Sequence, residues 1–282
     1  HQRYQLDFRH PLVQEHAERI ITRLVEDYGV SYIKMDYNIN AGSGTDYQAD
    51  SSGDGLLQHN RAYLAWLQKT MQRYPQLVIE NCGSGGLRMD YAMLQQHSIQ
   101  SVTDQTDYRL MAAIAAAAAS AVTPEQAAIW SYPLREGDRE EVVMNMVNSM
   151  LLRVHQSGHL AELSEERFAL VQEGIALYKT FREKIPHLQP FWPLGMPTLS
   201  SPWLAFGLRN EHEAWLAVWR MDSEQGAMTV PLAQLATITC VYPQAEQSRC
   251  QPILQSSGAC VFLNQKMTAR LFHLTFTSEY TR

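Results

Sequence analysis

The sequence has few of the features that mark membrane proteins, nucleic-acid-binding proteins and disulfide scaffolds. No apolar run reaches the roughly 18 residues that span a bilayer, and the alanine-rich segment 111–122 predicts a packed helix instead. Lys and Arg form no block in a chain of net charge −6, so we expect neither membrane nor nucleic acid among its partners. Four cysteines, with no CxxC pair, argue against a zinc site or a disulfide framework, and we expect buried free thiols.

Motifs for bound nucleotides and metals are also missing. The turn 83–86 (GSGG) lacks the G-x-x-x-x-G-K spacing of a phosphate-binding loop, and the nicotinamide fingerprint G-x-G-x-x-G does not occur. The histidines have no ligand-like spacing. The chain begins with His1 and shows no secretory leader, which indicates a mature product, an excised piece or a fragment and favours a cytoplasmic location.

The first two-thirds of the chain alternates between strand-like and helical patterns, which predicts βα units and a parallel sheet. The predicted helices are 11–27, 55–73, 108–121, 140–154 and 164–182, and the predicted strands are 32–35, 76–80, 98–102 and 127–131. These segments give four or five βα units, fewer than the eight that close a barrel. We therefore predict an α/β fold, the later part of a (β/α)8 TIM barrel (roughly strands 4–8), with the earlier units upstream of residue 1.

The pattern changes from about Pro190. A predicted linker is marked by four prolines, Pro190, Pro193, Pro197 and Pro202. Short alternating runs then replace the helical periodicity. Turn residues separate these runs, which predicts a small antiparallel β-sandwich-like domain. We therefore predict two domains, the barrel part at 1–189 and the β-domain at 190–282.

The most informative segment is 30–38, with the sequence VSYIKMDYN. Residues i, i+2 and i+4 of a strand point to one face, so Lys34, Asp36 and Asn38 should line up where a buried run ends. Polar groups at the carboxyl end of a parallel strand build active sites in α/β proteins. The alternative is a structural Lys34–Asp36 salt bridge at a strand end.

Two later strand ends deliver further polar groups. Asn81, Cys82 and Ser84 follow the second predicted strand, and Asp104 and Asp107 follow the third. Consecutive strands of a parallel sheet usually lie side by side, so we expect these groups to converge on one rim.

Two carboxylates from different strands, Asp36 and Asp104, suit the cleavage of a glycosidic bond. One would attack the anomeric carbon, and the other would protonate the leaving oxygen and later activate water. Lys34 would keep Asp36 ionised and donate a hydrogen bond to a sugar hydroxyl. The glycine turn would let the backbone approach a ligand, with Cys82 in the pocket wall. Two alternatives stay open. One of Asp104 and Asp107, more naturally Asp107, caps the following helix, and Cys82 is a core residue.

Three motifs resemble those of glycoside hydrolase family 36 α-galactosidases. The segment YIKMDYN (32–38) is similar to the nucleophile strand, ENCGSGGLRMD (80–90) to the Cys/Gly galactose-binding loop, and TDQTD (103–107) to the acid/base motif. Further matches are PEQ (124–126), IWSYP (129–133) and SGHL (157–160). The resemblance runs over about residues 4–185 and on into the β-domain.

The resemblance implies a retaining α-galactosidase that releases terminal galactose from α-galactoside oligosaccharides through a covalent glycosyl-enzyme. Asp36 would be the nucleophile and Asp104 the acid/base. The residues implied to contact the galactosyl unit are Lys34, Asn38, Cys82, Ser84 and Gly85. The resemblance implies neither a metal nor an organic cofactor, and it allows a homo-oligomer of the full-length enzyme.

The sequence departs from the family in its pocket and at its amino terminus. Met35 and Ser101 stand where many relatives carry Trp, which would change the pocket wall and the leaving-group side. The family's β-sandwich and early barrel strands, with the acidic pair that holds galactose hydroxyls, are not among these 282 residues, so we expect little or no turnover from them alone. The alternatives are a related α-N-acetylgalactosaminidase or raffinose-synthase-like transglycosylase, and an inactive truncated chain that binds sugar or a partner.

Overall fold

The computed structural model describes residues 4–39 and 42–277. Its backbone forms two compact units, His1–Val102 and Thr103–Arg282. The helices and strands described in the first unit are α1 (Pro11–Thr22), a π-helical turn (Arg23–Asp27), β1 (Tyr32–Asp36), α2 (Ser52–Arg73), β2 (Val78–Cys82), α3 (Tyr91–Gln96) and β3 (Ile99–Ser101).

The strands of the first unit are parallel, as predicted. β1 pairs with β2 from Tyr32↔Val78 to Asp36↔Cys82, and β2 pairs with β3 through Glu80↔Ile99. The helices bury an apolar face against this sheet, because their hydrophobic residues recur at helical spacing. The buried members of that core are Ile21, Trp66, Leu67, Leu77 and Ile79.

Capping residues explain two differences from the predicted helices. α2 begins at Ser52, ahead of the predicted position 55, because the Ser51 side chain accepts a hydrogen bond from the Asp54 N–H at 3.2 Å. α3 was not predicted. It follows Asp90, the last residue of the motif interpreted as a loop, and the Asp90 carboxylate accepts from the Met93 N–H at 3.0 Å.

The second unit begins with a further stretch of alternating helices and parallel strands. Its described elements up to residue 187 are α4 (Tyr108–Ala118), β4 (Ala127–Ser131), α5 (Arg139–Met150), β5 (Arg153–Gln156), a 3₁₀ turn (Leu160–Glu162), α6 (Glu165–Phe181) and a 3₁₀ turn (Arg182–His187). The prediction of one helix over 140–154 was wrong, because the chain turns after Met150 and Arg153–Gln156 pairs with β4 in parallel. Apolar residues predominate from Val142 to Val154, and periodicity cannot separate a buried helix from a buried strand in its short run Met150–Leu152.

Antiparallel sheets follow in the same unit. Their strands are β6 (Gln189–Phe191), β7 (Trp203–Arg209), β8 (Glu213–Arg220), β9 (Ala227–Pro231), β10 (Leu235–Tyr242), β11 (Ile253–Gln255), β12 (Gly258–Phe262) and β13 (Thr268–Phe276). One sheet has the order β10-β13-β8-β7-β6, and the other has the order β11-β12-β9. Leu216 and Phe272 of the first sheet share a core with Val230 and Val261 of the second. The strands β6 and β11 were not predicted, and β6 includes Pro190, from which the linker was expected to begin.

Hydrogen bonds tie the antiparallel strands to the helices within the second unit. The Asn148 side chain on α5 accepts from Trp219 Nε1 on β8 at 2.7 Å and donates to the Tyr108 carbonyl at 2.9 Å. Arg270 on β13 makes a bidentate ion pair with Glu140, at 2.6 and 2.9 Å. We propose the domain boundary at 189/190. The change from parallel to antiparallel strands lies next to it, since antiparallel β6 begins at Gln189.

Across the residues that the structure describes, no helix combines the length and the apolar character needed to cross a membrane.

Candidate active site

β1 exposes Tyr32, Lys34 and Asp36 on one side and partly buries Ile33 and Met35 on the other. Lys34, Asp36 and Asn38 are exposed, while Ile33 and Met35 pack against the core of the first unit. This alternation is the predicted one, and it follows from the two-residue period of a strand. The carboxyl end of β1 therefore presents an ammonium, a carboxylate and an amide together.

The register with β2 places Glu80 beside Lys34 and Cys82 beside Asp36. The Lys34 ammonium lies 3.5 Å from Oε1 of Glu80, a carboxylate that is only 2% exposed. The Tyr32 hydroxyl donates to the other oxygen of Glu80. The buried Glu80 is therefore a close ionic partner of Lys34, and Lys34 acts on Asp36 through the field of its charge. Reasoning from the sequence missed Glu80, although its place two residues before Cys82 puts it on the same face.

Asn38 organises the end of β1. Its Oδ1 accepts from the Ser84 backbone N–H at 2.6 Å and from the Ser84 hydroxyl at 3.2 Å. An N–H can only donate, so the amide orientation is fixed and the Asn38 NH₂ remains to donate to the acceptor-only carboxylate of Asp36. Asn38 thus bridges the glycine turn and Asp36.

These donors hold Asp36 in its ionised form. The hydrogen bond from Asn38 makes the largest contribution, and it lowers the pKa of Asp36 against the opposing effect of partial burial. The Cys82 thiol, the Lys34 charge and the Ser84 N–H lower this pKa further. A carboxylate that stays deprotonated on an exposed strand end can act as a nucleophile or as the partner of a cation.

Cys82 is both buried and in contact with Asp36. Its side chain is 1% exposed, and burial raises the pKa of the thiol, with the neighbouring Asp36 carboxylate acting in the same direction. The thiol therefore keeps its proton, which it donates to Asp36. Cys82 can therefore be a buried core residue and still form part of the wall around Asp36.

The turn after β2 needs its glycines and strains its serine. Ser84 adopts φ +46° and Gly85 φ +74°, the left-handed region that residues with a Cβ rarely enter. A Cβ on Gly86 would lie 2.7 Å from the Val102 carbonyl oxygen, so the chain must pass here without a side chain. This geometry aims the Ser84 N–H at Asn38 and Asp36, a local strain of the kind that accompanies functional sites.

Two further residues behave differently from expectation. Asn81 was expected at the rim with Cys82, but it is 2% exposed and donates to the Arg88 carbonyl at 3.1 Å and to Gln100 Oε1 at 2.6 Å. Asn81 pairs with Met35, one residue before the Asp36–Cys82 pair, so its side chain points to the opposite face from Asp36. Arg88 lies in the 80–90 motif, but the sequence predicted no contact for it. It lies 3.3 Å from the ring centroid of Tyr37 and donates to the Ile39 carbonyl at 2.9 Å, which fixes the chain that leaves β1.

Asp104 and Asp107 lie in the second unit, in the loop that precedes α4. The Asp107 carboxylate accepts from the Arg109 N–H at 2.9 Å, which confirms the predicted helix cap. It also pairs with the Arg109 guanidinium at 2.6 Å, and this hydrogen bond lowers the pKa of Asp107. Asp104 is exposed, and within residues 103–277 its carboxylate has no hydrogen-bond or ion-pair partner. A general acid must carry a proton, so the lowered pKa of Asp107 suits it poorly to that role.

Replacing Asn38 with alanine should raise the pKa of Asp36, because the largest of the contributions that lower it is removed. A lowered pKa in the folded chain contributes stability above the unfolded value that is lost as the pH falls through the folded value, so this contribution should shrink. Titration of ¹³C-labelled aspartate carboxyls by NMR measures the shift. Asp7, whose pKa is lowered by Arg9, is the internal control and should not move. An unchanged Asp36 pKa would contradict the assigned role of Asn38.

Within residues 4–39 and 42–277, no group of three or more His, Cys, Asp or Glu side chains is arranged to hold a metal ion. The cysteines all carry free thiols, with Cys260 half-buried and the others buried.

A family model and relatives of known sequence match the chain. The family model described as Melibiase matches residues 1–187. Alpha-galactosidase 2 of Pediococcus pentosaceus is 30% identical over 106 residues, which cover 36% of this chain and 14% of that protein. The bifunctional alpha-galactosidase/sucrose kinase AgaSK of Mediterraneibacter gnavus is 24% identical over 290 residues, which cover 98% of this chain and 28% of that protein.

Solved structures show the same fold at low identity. The family 36 α-galactosidase AgaA of Geobacillus stearothermophilus, as a variant in complex with raffinose, superimposes with a TM-score of 0.78 at 15% identity. The match covers 96% of this chain and 39% of AgaA, so the chain spans well under half the length of these relatives. Because the Melibiase family model matches residues 1–187, about two thirds of the 282 residues, the chain belongs to the Melibiase family.

Proposed function

We propose that this chain carries the catalytic carboxylates of a retaining α-galactosidase. The observation that carries the proposal is Asp36, an exposed aspartate at the carboxyl end of a parallel strand, kept ionised by Asn38, Cys82 and Lys34. Such a carboxylate can attack an anomeric carbon at neutral pH. The Melibiase match and the α-galactosidase names of the relatives support the same activity.

In the proposed mechanism, a carboxylate oxygen of Asp36 attacks the anomeric carbon as the bond to the leaving oxygen breaks. Asp104 gives its proton to that oxygen, which leaves as an alcohol. In the second step the Asp104 carboxylate takes a proton from water, and the water oxygen displaces Asp36 from the anomeric carbon. Two inversions give net retention, and both carboxyls return to their starting states.

The galactosyl unit would be held by Lys34, Asn38, Cys82, Ser84 and Gly85. Lys34 is a cation fixed by the buried Glu80, so it can donate to a sugar hydroxyl without a large loss of side-chain freedom. Ser84 and Gly85 bring backbone close to Asp36 through their left-handed conformations. These contacts match the polar face that β1 and the turn after β2 present.

The substrate class we propose is the raffinose type of α-galactoside oligosaccharide. AgaA structures have been solved with raffinose and with stachyose, which supports this class for a chain of the same fold. We also propose that the alternating helices and parallel strands represent the later part of a (β/α)8 barrel.

The test is to incubate the native gene product containing these residues with 4-nitrophenyl α-galactoside and to follow the first-formed sugar by ¹H NMR. We expect α-galactose before mutarotation, as retention requires. β-Galactose as the first product would contradict the retaining mechanism. Turnover only of the N-acetyl analogue would replace the proposal with an α-N-acetylgalactosaminidase, and galactosyl transfer to added sucrose in preference to water would replace it with a transglycosylase.

A further inference from the structure

The segments that follow β4 and β5 form a second feature, which the proposed catalytic roles leave unused. Trp130 and Ser131 end β4 and Tyr132 follows it, while Ser157, Gly158 and His159 follow β5. Because β4 and β5 are parallel neighbours, both segments lie at the same edge of the sheet. Carboxyl ends of parallel strands are where α/β proteins bind ligands.

Aromatic rings gather at this edge. The rings of Trp130 and Tyr132 lie 6.0 Å apart, and those of Tyr132 and His159 lie 6.1 Å apart. Ser131, between the first two, is buried, and its hydroxyl contacts Met146 Sδ on α5 at 3.2 Å. Successive strand residues point to opposite faces, so Trp130 faces away from the helix that Ser131 contacts, and the Tyr132 ring lies beside that of Trp130. Their half-exposed rings, with His159, form a surface that we call the aromatic platform.

The segment after β5 is locked onto the segment after β4. The His159 N–H donates to the Pro133 carbonyl at 2.8 Å, and the Ser157 N–H donates to the Ser131 carbonyl at 2.9 Å. Gly158 has φ +79°, and a Cβ there would lie 2.5 Å from the Pro133 oxygen. Only glycine allows this approach, which brings the His159 ring to Tyr132.

A buried ion pair holds the other side of the platform. Arg167 on α6 pairs with Glu141 on α5 at 2.8 Å, with exposed side-chain fractions of 10% and 3%. The guanidinium also donates to the Leu134 carbonyl at 2.6 Å and to the Arg135 carbonyl at 2.8 Å. The second Glu141 oxygen accepts from the Leu134 N–H at 3.0 Å.

Asn145 completes this network. Its Nδ2 donates to Glu141 Oε1 at 2.8 Å, and its Oδ1 accepts from the Tyr132 N–H at 3.0 Å. A buried ion pair is an inefficient way to stabilise a fold, because desolvation offsets most of its Coulomb energy. Here its hydrogen bonds run to the backbone of one loop, 132–138, so what it provides is a fixed position for Tyr132.

We propose that the aromatic platform binds the sugar unit of the leaving group, an inference that rests on the proposed α-galactosidase function. Tyr and Trp rings offer an apolar face with a hydrogen-bonding edge, which matches a pyranose with its C–H face and hydroxyl rim. The leaving group departs from the side of the acid/base residue, and Asp104 belongs to the same compact unit as the platform.

The test compares two substrates that share galactose and differ in the leaving group. Raffinose releases sucrose, whereas α-galactosyl fluoride releases fluoride and has no second sugar to bind. In the native protein, Tyr132→Ala should lower kcat/KM for raffinose about tenfold, the scale of one aromatic contact. The same variant should hydrolyse α-galactosyl fluoride within about twofold of wild type. Tyr132→Phe, which keeps the ring, should restore raffinose hydrolysis.

His159→Ala is the second variant, since its ring joins the platform from the other segment; it should show the same raffinose-selective loss. Thermal unfolding of each variant verifies that it is folded. Equal losses on both substrates by folded variants, or no loss on raffinose, would overturn the platform while leaving the α-galactosidase proposal intact. A wild-type protein that hydrolyses neither substrate would overturn the proposed function, and the platform assignment with it.

Discussion

Asp36→Ala in the native protein should lower the turnover of 4-nitrophenyl α-galactoside by on the order of 10⁴-fold, because the variant has no carboxylate to form the glycosyl-enzyme. Sodium azide should restore turnover, since the small anion fits the space that the carboxylate vacates. Azide would attack from the face that Asp36 occupies, so the expected product is β-galactosyl azide. Release of 4-nitrophenol measures the rate, and ¹H NMR identifies the azide.

Asp104→Ala distinguishes the two carboxylates. With a good leaving group the first step still occurs, and azide then attacks the glycosyl-enzyme from the opposite face to give α-galactosyl azide. Asp27→Asn, an exposed aspartate in the same unit as Asp36, is the matched control and should leave turnover unchanged. An Asp36→Ala variant that keeps more than about a tenth of wild-type activity would exclude Asp36 as the nucleophile.

Arg167→Met should destabilise the protein by about 3–5 kcal/mol, because it leaves the buried Glu141 carboxylate without its cation. Burial already raises the pKa of Glu141, and the loss of Arg167 should raise it further. A carboxyl with a raised pKa in the folded state contributes stability at low pH that is lost as the pH rises through that value. The deficit of the variant should therefore be larger at pH 7 than near the ordinary glutamate pKa of about 4.3. Urea unfolding at the two pH values measures it.

Two controls separate charge burial from loss of packing. Arg139 pairs with Glu166 at 2.9 Å between the same two helices, but the side chains are 33% and 71% exposed. Arg139→Met should therefore cost less than about 1 kcal/mol. The double variant Arg167→Met/Glu141→Leu should lose less stability than the sum of its single variants, since no unpaired charge remains. Equal costs for Arg167→Met and Arg139→Met would show that burial of the pair is unimportant.

The parts of the fold that depend on local pattern could be predicted from the sequence. The two-residue alternation around Asp36 gave the exposed face of β1, and β4 was predicted with its observed bounds because its apolar run is short and bounded by turn residues. The helix from 140 was extended too far because Leu151 and Leu152 continue the apolar run into β5, where only the pairing with β4 decides the conformation. Asp107 was predicted as a cap from its place directly before a helix.

The parts of the candidate site that depend on register could not be predicted in the same way. The pairing of Lys34 with Glu80 requires the alignment of β1 with β2, which no single strand encodes. The burial of Asn81 on the face opposite to Cys82 depends on the same pairing of strands. Arg88 stacks on Tyr37 from 51 residues away, so its role depends on tertiary packing. The order of the three motifs indicated which residues matter but not which of them touch.

The side chain of Asn148 has a consequence for motion. It holds Trp219 of the antiparallel sheet with its oxygen and the Tyr108 carbonyl with its nitrogen, and it is 2% exposed. Tyr108 is the first residue after the loop that carries Asp104. Moving β8 away would leave the buried Asn148 oxygen without its Trp219 donor, and moving the loop away would leave the Asn148 nitrogen without the Tyr108 carbonyl. One buried side chain therefore makes local unfolding more costly both for a strand far along the chain and for the loop on which the proposed proton donor sits.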